Sequence, residues 1–368
     1  MVHAQYIWIL LSALIHLSRR WKRVRFELPA HGIFLQPLAT LSESDVPILQ
    51  SASIDFPIAP TDDPNWTSVG FIATPSLRSV SMVCYMWHPV PELPIRYKNL
   101  RHLKINCIAS SALQSIVQML RKCPVLETCV LYAKDSRHSR YPAQISTPFR
   151  MEHLSRLRVT DPRCTTETLF QHLVLPQLRI LEFICSRTTL LTRPLPFASI
   201  FSSADRLECL HITQGSGALS TSSLVEVLAL APMLQELHMI GEPSMEGTPN
   251  PADNPVDLIT MLTPGAVGAA IILCPELQRV KLERFRDVTD STLLEFIQAR
   301  TGPHPQDVAH LSSVDVWFDR EQQADIFPPL QNVIATGLKL SVVYDPPTRP
   351  LYSPFEALVQ EDPGWETW

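Results

Sequence analysis

Apolar residues recur along this chain in one short phrase: an apolar residue, two variable ones, an apolar, one variable, an apolar. The clearest copies are Leu100-Arg-His-Leu103-Lys-Ile105, Leu154-Ser-Arg-Leu157-Arg-Val159, Leu178-Arg-Ile-Leu181-Glu-Phe183, Leu207-Glu-Cys-Leu210-His-Ile212 and Leu234-Gln-Glu-Leu237-His-Met239. Looser copies begin at Trp21, Leu49, Leu77, Leu126, Leu277 and Leu311, which makes eleven. Their first positions are separated by 28, 28, 23, 26, 28, 24, 29, 27, 43 and 34 residues. Ala52 and Cys129 are the weakest framework members, yet all three framework positions are apolar in every copy.

Self-similarity at a period of roughly 20–30 residues with this phrase predicts stacked leucine-rich repeats. Within each phrase the last apolar positions alternate with variable ones, the spacing of a strand with one buried face. Between many phrases the apolar spacing changes to that of a helix. Ser111–Arg121 places Leu113, Ile116, Val117 and Leu120 on one face, and Thr165–Leu173 and Thr221–Ala231 follow the same plan. Ser223 and Glu226 have the spacing of a capping box. Residues 288–300 open on Thr289-Asp290, a cap-like pair, and then turn apolar. A helical return between strands sends each strand in the same direction, so a parallel sheet is expected. One unit buries too little apolar surface to offset the entropy of ordering its backbone; only stacked neighbours make it stable. The predicted fold class is therefore α/β, a leucine-rich-repeat-like solenoid with a parallel sheet on its concave face and helices or loops on its convex face.

Three regions follow. Residues 1–20 hold an apolar stretch at 6–17, expected as a capping helix buried on most sides. No Lys or Arg precedes it, as a secretory leader requires, and it falls short of the about 20 residues that cross a bilayer. Residues 21–344 form the repeat array, with a loop insertion rich in Pro, Gly, Asn and Asp at 241–256 and a final strand at 337–344. Residues 345–368 are a proline-rich tail carrying Tyr352, Phe355, Trp365 and Trp368.

Composition removes several chemistries. There are 33 prolines and 11 glycines in 368 residues. Pro264-Gly-Ala-Val-Gly268 lacks the Gly-Lys-Ser/Thr ending of a phosphate cradle. No nucleophile elbow, His-Glu-x-x-His or dinucleotide fingerprint occurs, so no enzyme and no cofactor are expected. A net charge of −5 is too mild to imply nucleic acid or membrane as partner. The eight cysteines form no Cys-x-x-Cys pair, giving no zinc signature. Cys123 and Cys274, each before a proline, and Cys129 read as small buried thiols of a reducing compartment, cytoplasm or nucleus. Asn65-Trp-Thr67 is a glycosylation sequon that reads as incidental without a leader. The polar, basic stretch at 132–141 reads as a solvated loop.

The segments that join the repeats carry a resemblance. His16-Leu-Ser-Arg-Arg-Trp21, running to Leu28-Pro29, resembles the segment after the F-box in fungal F-box proteins with irregular leucine-rich repeats. Cys123-Pro-Val-Leu126-Glu and Cys274-Pro-Glu-Leu277-Gln resemble their repeat openings. Val288-Thr-Asp, with Leu294-Glu-Phe-Ile and Arg300, is similar to their last helical return. The resemblance implies the substrate receptor of a cullin-type ubiquitin ligase, docked through the F-box to the ligase adaptor. Twenty residues precede Trp21, and no Leu-Pro-x-Glu-Ile-like opening lies among them. The expectation is a receptor part without a recognisable docking part, with the adaptor a partner only where an F-box is supplied upstream. A stand-alone scaffold or inhibitor with no ubiquitin link is the alternative.

The binding surface is expected where variable positions point outward from the strands. Taking two such positions from each of the eleven copies gives 22 sites, seven of them basic: Arg23, Arg25, Lys104, Arg156, Arg158, Arg279 and Lys281. Three are acidic, namely Glu182, Glu236 and Asp315, so this face counts as net positive on an acidic protein. His102, His211 and His238 share the columns, the last two in one register on consecutive units. Arginine forks bind carboxylates and phosphates well, so an acidic or phosphorylated protein segment is the expected partner. The histidine pair reads as exposed side chains and not as a metal centre.

Overall fold

The computed structural model describes residues 2–27, 36–56, 69–87, 93–108, 113–133, 147–161, 167–185, 198–214, 221–241, 256–265, 272–285, 288–302 and 308–345. In the first half, the strands are β1 (Arg23–Glu27), β2 (Ser51–Phe56), β3 (Ser79–Trp87), β4 (His102–Ile108), β5 (Thr128–Ala133), β6 (Phe149–Arg150) and β7 (Arg156–Thr160). In the second they are β8 (Leu173–Val174), β9 (Ile180–Cys185), β10 (Cys209–Gln214), β11 (Glu236–Ile240), β12 (Arg279–Phe285), β13 (Ser313–Phe318) and β14 (Lys339–Tyr344). Twelve of them form one sheet in chain order, with only the short pair β6 and β8 set apart. All pairings are parallel. The fold is thus α/β with a twelve-stranded parallel sheet.

The phrase accounts for the core. From Leu49 to Val316, every first, fourth and sixth position is buried, including the weak members Ala52 and Cys129. Only the first copy, Trp21, Val24 and Phe26, is partly open, as befits the edge of a stack. In register, the fourth positions make one continuous row, for example Leu181, Leu210, Leu237 and Val280. The sixth positions make a second: Phe183, Ile212, Met239 and Leu282.

Two backbone devices hold that register while the spacing between units varies. From Lys22 to Gln278, the carbonyl that follows each first position accepts two amides from the next unit. Lys22 takes Gln50 and Ser51, Arg101 takes Glu127 and Thr128, and Glu208 takes Gln235 and Glu236. The second device precedes the strand. A buried residue, a proline, one variable residue and the framework leucine form a turn at Val46-Pro-Ile-Leu49, Thr74-Pro-Ser-Leu77, Cys123-Pro-Val-Leu126, Leu175-Pro-Gln-Leu178, Ala231-Pro-Met-Leu234 and Cys274-Pro-Glu-Leu277. In each, the leucine amide bonds the carbonyl three residues back. Proline suits the second place of such a turn because its φ is already set and its missing amide costs nothing there. Six of the 33 prolines therefore belong to the turns of the fold.

Helical returns cover the opposite face of the core: α1 (Val2–Ile15), α2 (Gln36–Ala39), α3 (Leu113–Arg121), α4 (Glu167–Phe170), α5 (Ala198–Phe201), α6 (Thr221–Ala229), α7 (Val256–Leu262), α8 (Asp290–Thr301) and α9 (Phe327–Ala335). Ile116, Val117 and Leu120 of α3 are buried at their expected spacing, as are Leu293, Phe296 and Ile297 of α8. The Thr289 hydroxyl caps α8 by accepting the Thr292 amide at 3.1 Å. Thr289→Ala should lower stability in urea by about 1 kcal/mol, measured by circular dichroism.

Several expectations change. The return expected over 165–173 is a single turn at Glu167–Phe170, after which Leu173 and Val174 pair as a strand with Phe149 and Arg150. Pro176 holds the chain extended there. Helix α6 is already running at Ser223, so Ser223 lies inside the helix and not at its N-cap. Helices α7 and α9 were not expected; α9 starts with Pro328 and Pro329, which the first helical turn tolerates.

The N-terminal helix differs most. It packs Ile7, Leu11 and Ile15 inward at four-residue spacing. Tyr6, Ile9, Leu10, Leu14 and Leu17 remain exposed, so it is buried along one stripe only. Among the described residues no helix is long and apolar enough to cross a membrane. The tail at 346–368, most of the 241–256 insertion, residues 134–141, Asn65 and residues 266–268 lie outside the described residues.

Candidate partner-binding face

Alternation along each strand sends the positions between framework residues away from the core, and the parallel register stacks them into columns. The first column runs Arg23, Ser51, Ser79, His102, Thr128, Arg156, Ile180, Cys209, Glu236, Arg279, Ser313 and Lys339. The second runs Arg25, Ser53, Ser81, Lys104, Val130, Arg158, Glu182, His211, His238, Lys281, Asp315 and Ser341. All ten residues singled out above share this face. Histidines 211 and 238 stand directly opposite one another.

A third outward column lies past the sixth position, and it changes the charge balance. It includes Glu27, Tyr132, Ile240, Glu283 and Trp317. Arg25 pairs with Glu27 at 2.6 Å, and Lys281 with Glu283 at 2.6 Å. Arg279 meets Glu236 at 2.9 Å. Arg156 and Arg158 share Glu182, at 2.5 and 3.5 Å. The net-positive count above took two positions from each copy; with the third column included, five of its seven cations face carboxylates. Among the described residues Arg23 and Lys104 have no such carboxylate. The Tyr132 ring lies between Lys104 at 5.8 Å and Arg158 at 6.0 Å. Arg158 Nε is buried without a hydrogen-bond partner among the described residues.

The histidines are likewise not bare. Nε2 of His211 lies 3.1 Å from Cys209 Sγ and 3.2 Å from Glu236 Oε1, while Nε2 of His238 lies 3.2 Å from Glu283 Oε1. The two rings meet edge to face with centroids 5.0 Å apart. Burial, with the charges of His211 and Lys281, holds His238 below the usual imidazole range against the pull of Glu283. Burial would raise Glu236, but the hydrogen bond from His211 and the Arg279 guanidinium bring its carboxyl below the usual range. Cys209 is half-buried, unlike Cys123, Cys129 and Cys274, and burial with the nearby Glu236 charge pushes its thiol up to about 12. Reading His211 and His238 as a pair left out Cys209 and did not connect Glu236 to His211. The signal was present, since Cys-x-His at 209–211 and Glu-x-His at 236–238 lie one repeat apart.

A shallow depression of about 610 Å³ opens beside the starts of the middle strands, lined by Glu127, Glu152, His153, Ser155, Gln177 and Arg179. No protein-family model matches the chain, and no curated protein matches it.

Proposed function

We propose that the chain is a leucine-rich-repeat-like solenoid and that it works as a protein–protein interaction module, the substrate-recognition part of an F-box-type ubiquitin ligase receptor. The carrying observation is the open outer face of the sheet, where twelve strands in register present columns of polar and aromatic side chains side by side. Such a surface suits an extended partner better than a small substrate, because it is long, exposed and chemically graded. Strands that add in chain order support the repeat reading, since each unit completes its core from its neighbours. The receptor reading rests on the joining segments that resemble fungal F-box proteins. Two residues of the segment similar to their last helical return, Asp290 and Arg300, are buried charges that bond beyond their own helix, which gives that segment a physical reason for its residue types.

The proposed partner is a protein segment bearing carboxylate or phosphate groups, first met at Arg23 and at Lys104 with its strand neighbour His102. Among the described residues those cations lack the carboxylate matching seen elsewhere on the face. The place of action is the cytoplasm or nucleus, in keeping with Cys123, Cys129, Cys209 and Cys274 being free thiols.

Affinity capture with the tagged full chain tests this reading. The double reversal Arg23→Glu with Lys104→Glu avoids Arg156 and Arg158, whose reversal would crowd the buried Glu182 with like charge. The captured partner should bind the variant about tenfold more weakly, lose affinity after phosphatase or neutralisation of its acidic segment, and persist longer in cells lacking the chain. Unchanged affinity in the reversal removes the acidic-segment reading. Partner lifetimes that ignore the chain, with no recovery of the ligase adaptor, replace the receptor by a stand-alone scaffold or inhibitor.

A further inference from the structure

One patch of the outer face has donor chemistry of its own. Cys209 and His211 sit two apart on β10, hence on one side of the sheet, and Glu236 on β11 stands opposite Cys209. A thiol sulfur, an imidazole nitrogen and a carboxylate oxygen from these residues all lie within 4.8 Å of one another. Two of the separations, 3.1 and 3.2 Å, share His211 Nε2 as their common atom. Ligand atoms around a tetrahedral zinc ion, bound at 2.0–2.3 Å, stand about 3.5 Å from each other. The three atoms need only small side-chain adjustments to close on one ion.

The surroundings orient the set. Arg279 Nε donates to Glu236 Oε2 at 2.9 Å, which leaves Oε1 turned toward His211. A second partner that fixes a ligand in this way is what metal sites use to orient their donors. The His238 ring packs edge-on against His211 at 5.0 Å and walls the patch on the side of β11. The His211 and Glu236 side chains are about 30% exposed, so one direction stays open.

We propose that Cys209, His211 and Glu236 form a three-ligand site for a divalent transition-metal ion, zinc above all, on the outer face of the sheet. One sulfur, one nitrogen and one oxygen donor suit zinc and its borderline neighbours, whereas magnesium and calcium demand shells of oxygen. Water fills the fourth position. The site depends on the register of two adjacent strands and is independent of which protein the face receives.

The test uses the full chain, stripped with a chelator and titrated calorimetrically with zinc sulfate, with cobalt(II) as a spectroscopic probe. One zinc ion per chain should bind. Cobalt should show a thiolate-to-metal absorption band and the visible bands of a tetrahedral centre. Cys209→Ser, His211→Gln and Glu236→Gln should each weaken zinc at least about tenfold, and Cys209→Ser should abolish the thiolate band. His102→Gln, on the same face but far along the sheet, should leave zinc affinity unchanged. The proposal falls if the wild-type chain binds no zinc saturably, if cobalt lacks the thiolate band, or if Cys209→Ser and His211→Gln bind as the wild type does. Should Cys209→Ser fail to fold, alkylation of the wild-type chain decides: zinc should protect Cys209 from labelling and leave the other cysteines unaffected, and equal labelling of Cys209 with and without zinc overturns the proposal.

Discussion

Asp290→Ala should lower stability by about 3–5 kcal/mol, with the loss concentrated in the last two strands. The carboxylate is fully buried at the start of α8, yet its bonds reach forward into the following unit. It accepts from Arg320 Nη2 at 2.5 Å, from the amides of Gln323 and Ala324 at 2.8 and 2.7 Å, and from the Tyr344 hydroxyl at 3.2 Å. Arg320 is itself only 8% exposed, lies over the Phe318 ring at 4.0 Å and donates to the Val288 carbonyl. Removing the carboxylate leaves that guanidinium uncompensated and two amides without an acceptor. Such a loss exceeds the net worth of the pair, because the partner left behind stays buried.

Location and pH dependence both identify the mechanism. In a sheet whose strands add in chain order each strand leans on its neighbours, so damage at one end opens that end first. Hydrogen exchange in Asp290→Ala should speed up over Ser313–Phe318 and Lys339–Tyr344 and stay unchanged over Thr128–Ala133. Burial alone would raise the Asp290 carboxyl, but the Arg320 hydrogen bond, the two amides and the Arg320 charge together hold it below the usual range. A lowered folded value means that its stabilisation is present above the unfolded value, about 3.9, and is lost as pH falls through the folded one. The wild type should therefore lose stability below about pH 4 more steeply than Asp290→Ala, whose curve lacks this contribution. Parallel curves, or a loss under 1 kcal/mol, would show that the buried bonds do not matter energetically.

The repeat phrase made the core legible because apolar spacing reports directly on burial. Leu157 and Val159 had to point inward together, which placed Arg156 and Arg158 outward, as β7 shows. Charge balance was less legible, since it depends on which residues neighbour each other across strands. Glu182 lies directly opposite Arg158 and diagonal to Arg156, a meeting set by the register between two strands that apolar spacing alone does not report. Glu27 and Glu283 escaped notice because they follow the last framework position, where the phrase ends and the strand does not. The turn prolines were hidden by looking only at Cys123 and Cys274; Val46, Thr74, Leu175 and Ala231 precede prolines in the same place. The exposure of α1 could not come from its composition. A helix apolar all round says that burial is favourable but not which surface is near enough to supply it.

Arg300→Met should cost about 3–5 kcal/mol, and Arg300→Lys should recover little of it. The side chain is wholly buried in α8, and each arm of its guanidinium serves a backbone carbonyl of an earlier unit. Nε donates to Leu262 at 2.9 Å, Nη1 to Cys274 at 3.0 Å and Nη2 to Leu273 at 2.7 Å. Leu262 ends α7, so its carbonyl has no partner within that helix. Cys274 has a φ of 48°, in the left-handed region that a side chain adopts at a cost, and it leads directly into the Pro275 turn before β12. The fork thus holds a helix end and a strained turn together. Burial pulls the guanidinium down to about 10, which still leaves it protonated at neutral pH. Methionine fills the volume but leaves the Leu262 and Leu273 carbonyls without the fork, and Cys274 keeps only the bond from the Leu277 amide. Lysine keeps the charge but presents one nitrogen where three separate directions are needed. A charge-driven role would let lysine rescue stability in urea, whereas a role set by fork geometry would leave both variants weak. The turn supplies a second readout. Cys274 is now buried, with burial pushing its thiol up to about 12, so it should resist alkylation in the native wild type. In Arg300→Met the loosened turn should expose it, and its labelling should accelerate at least about tenfold relative to Cys129 in the distant strand β5. Equal labelling at both cysteines would mean that the fork does not hold the turn.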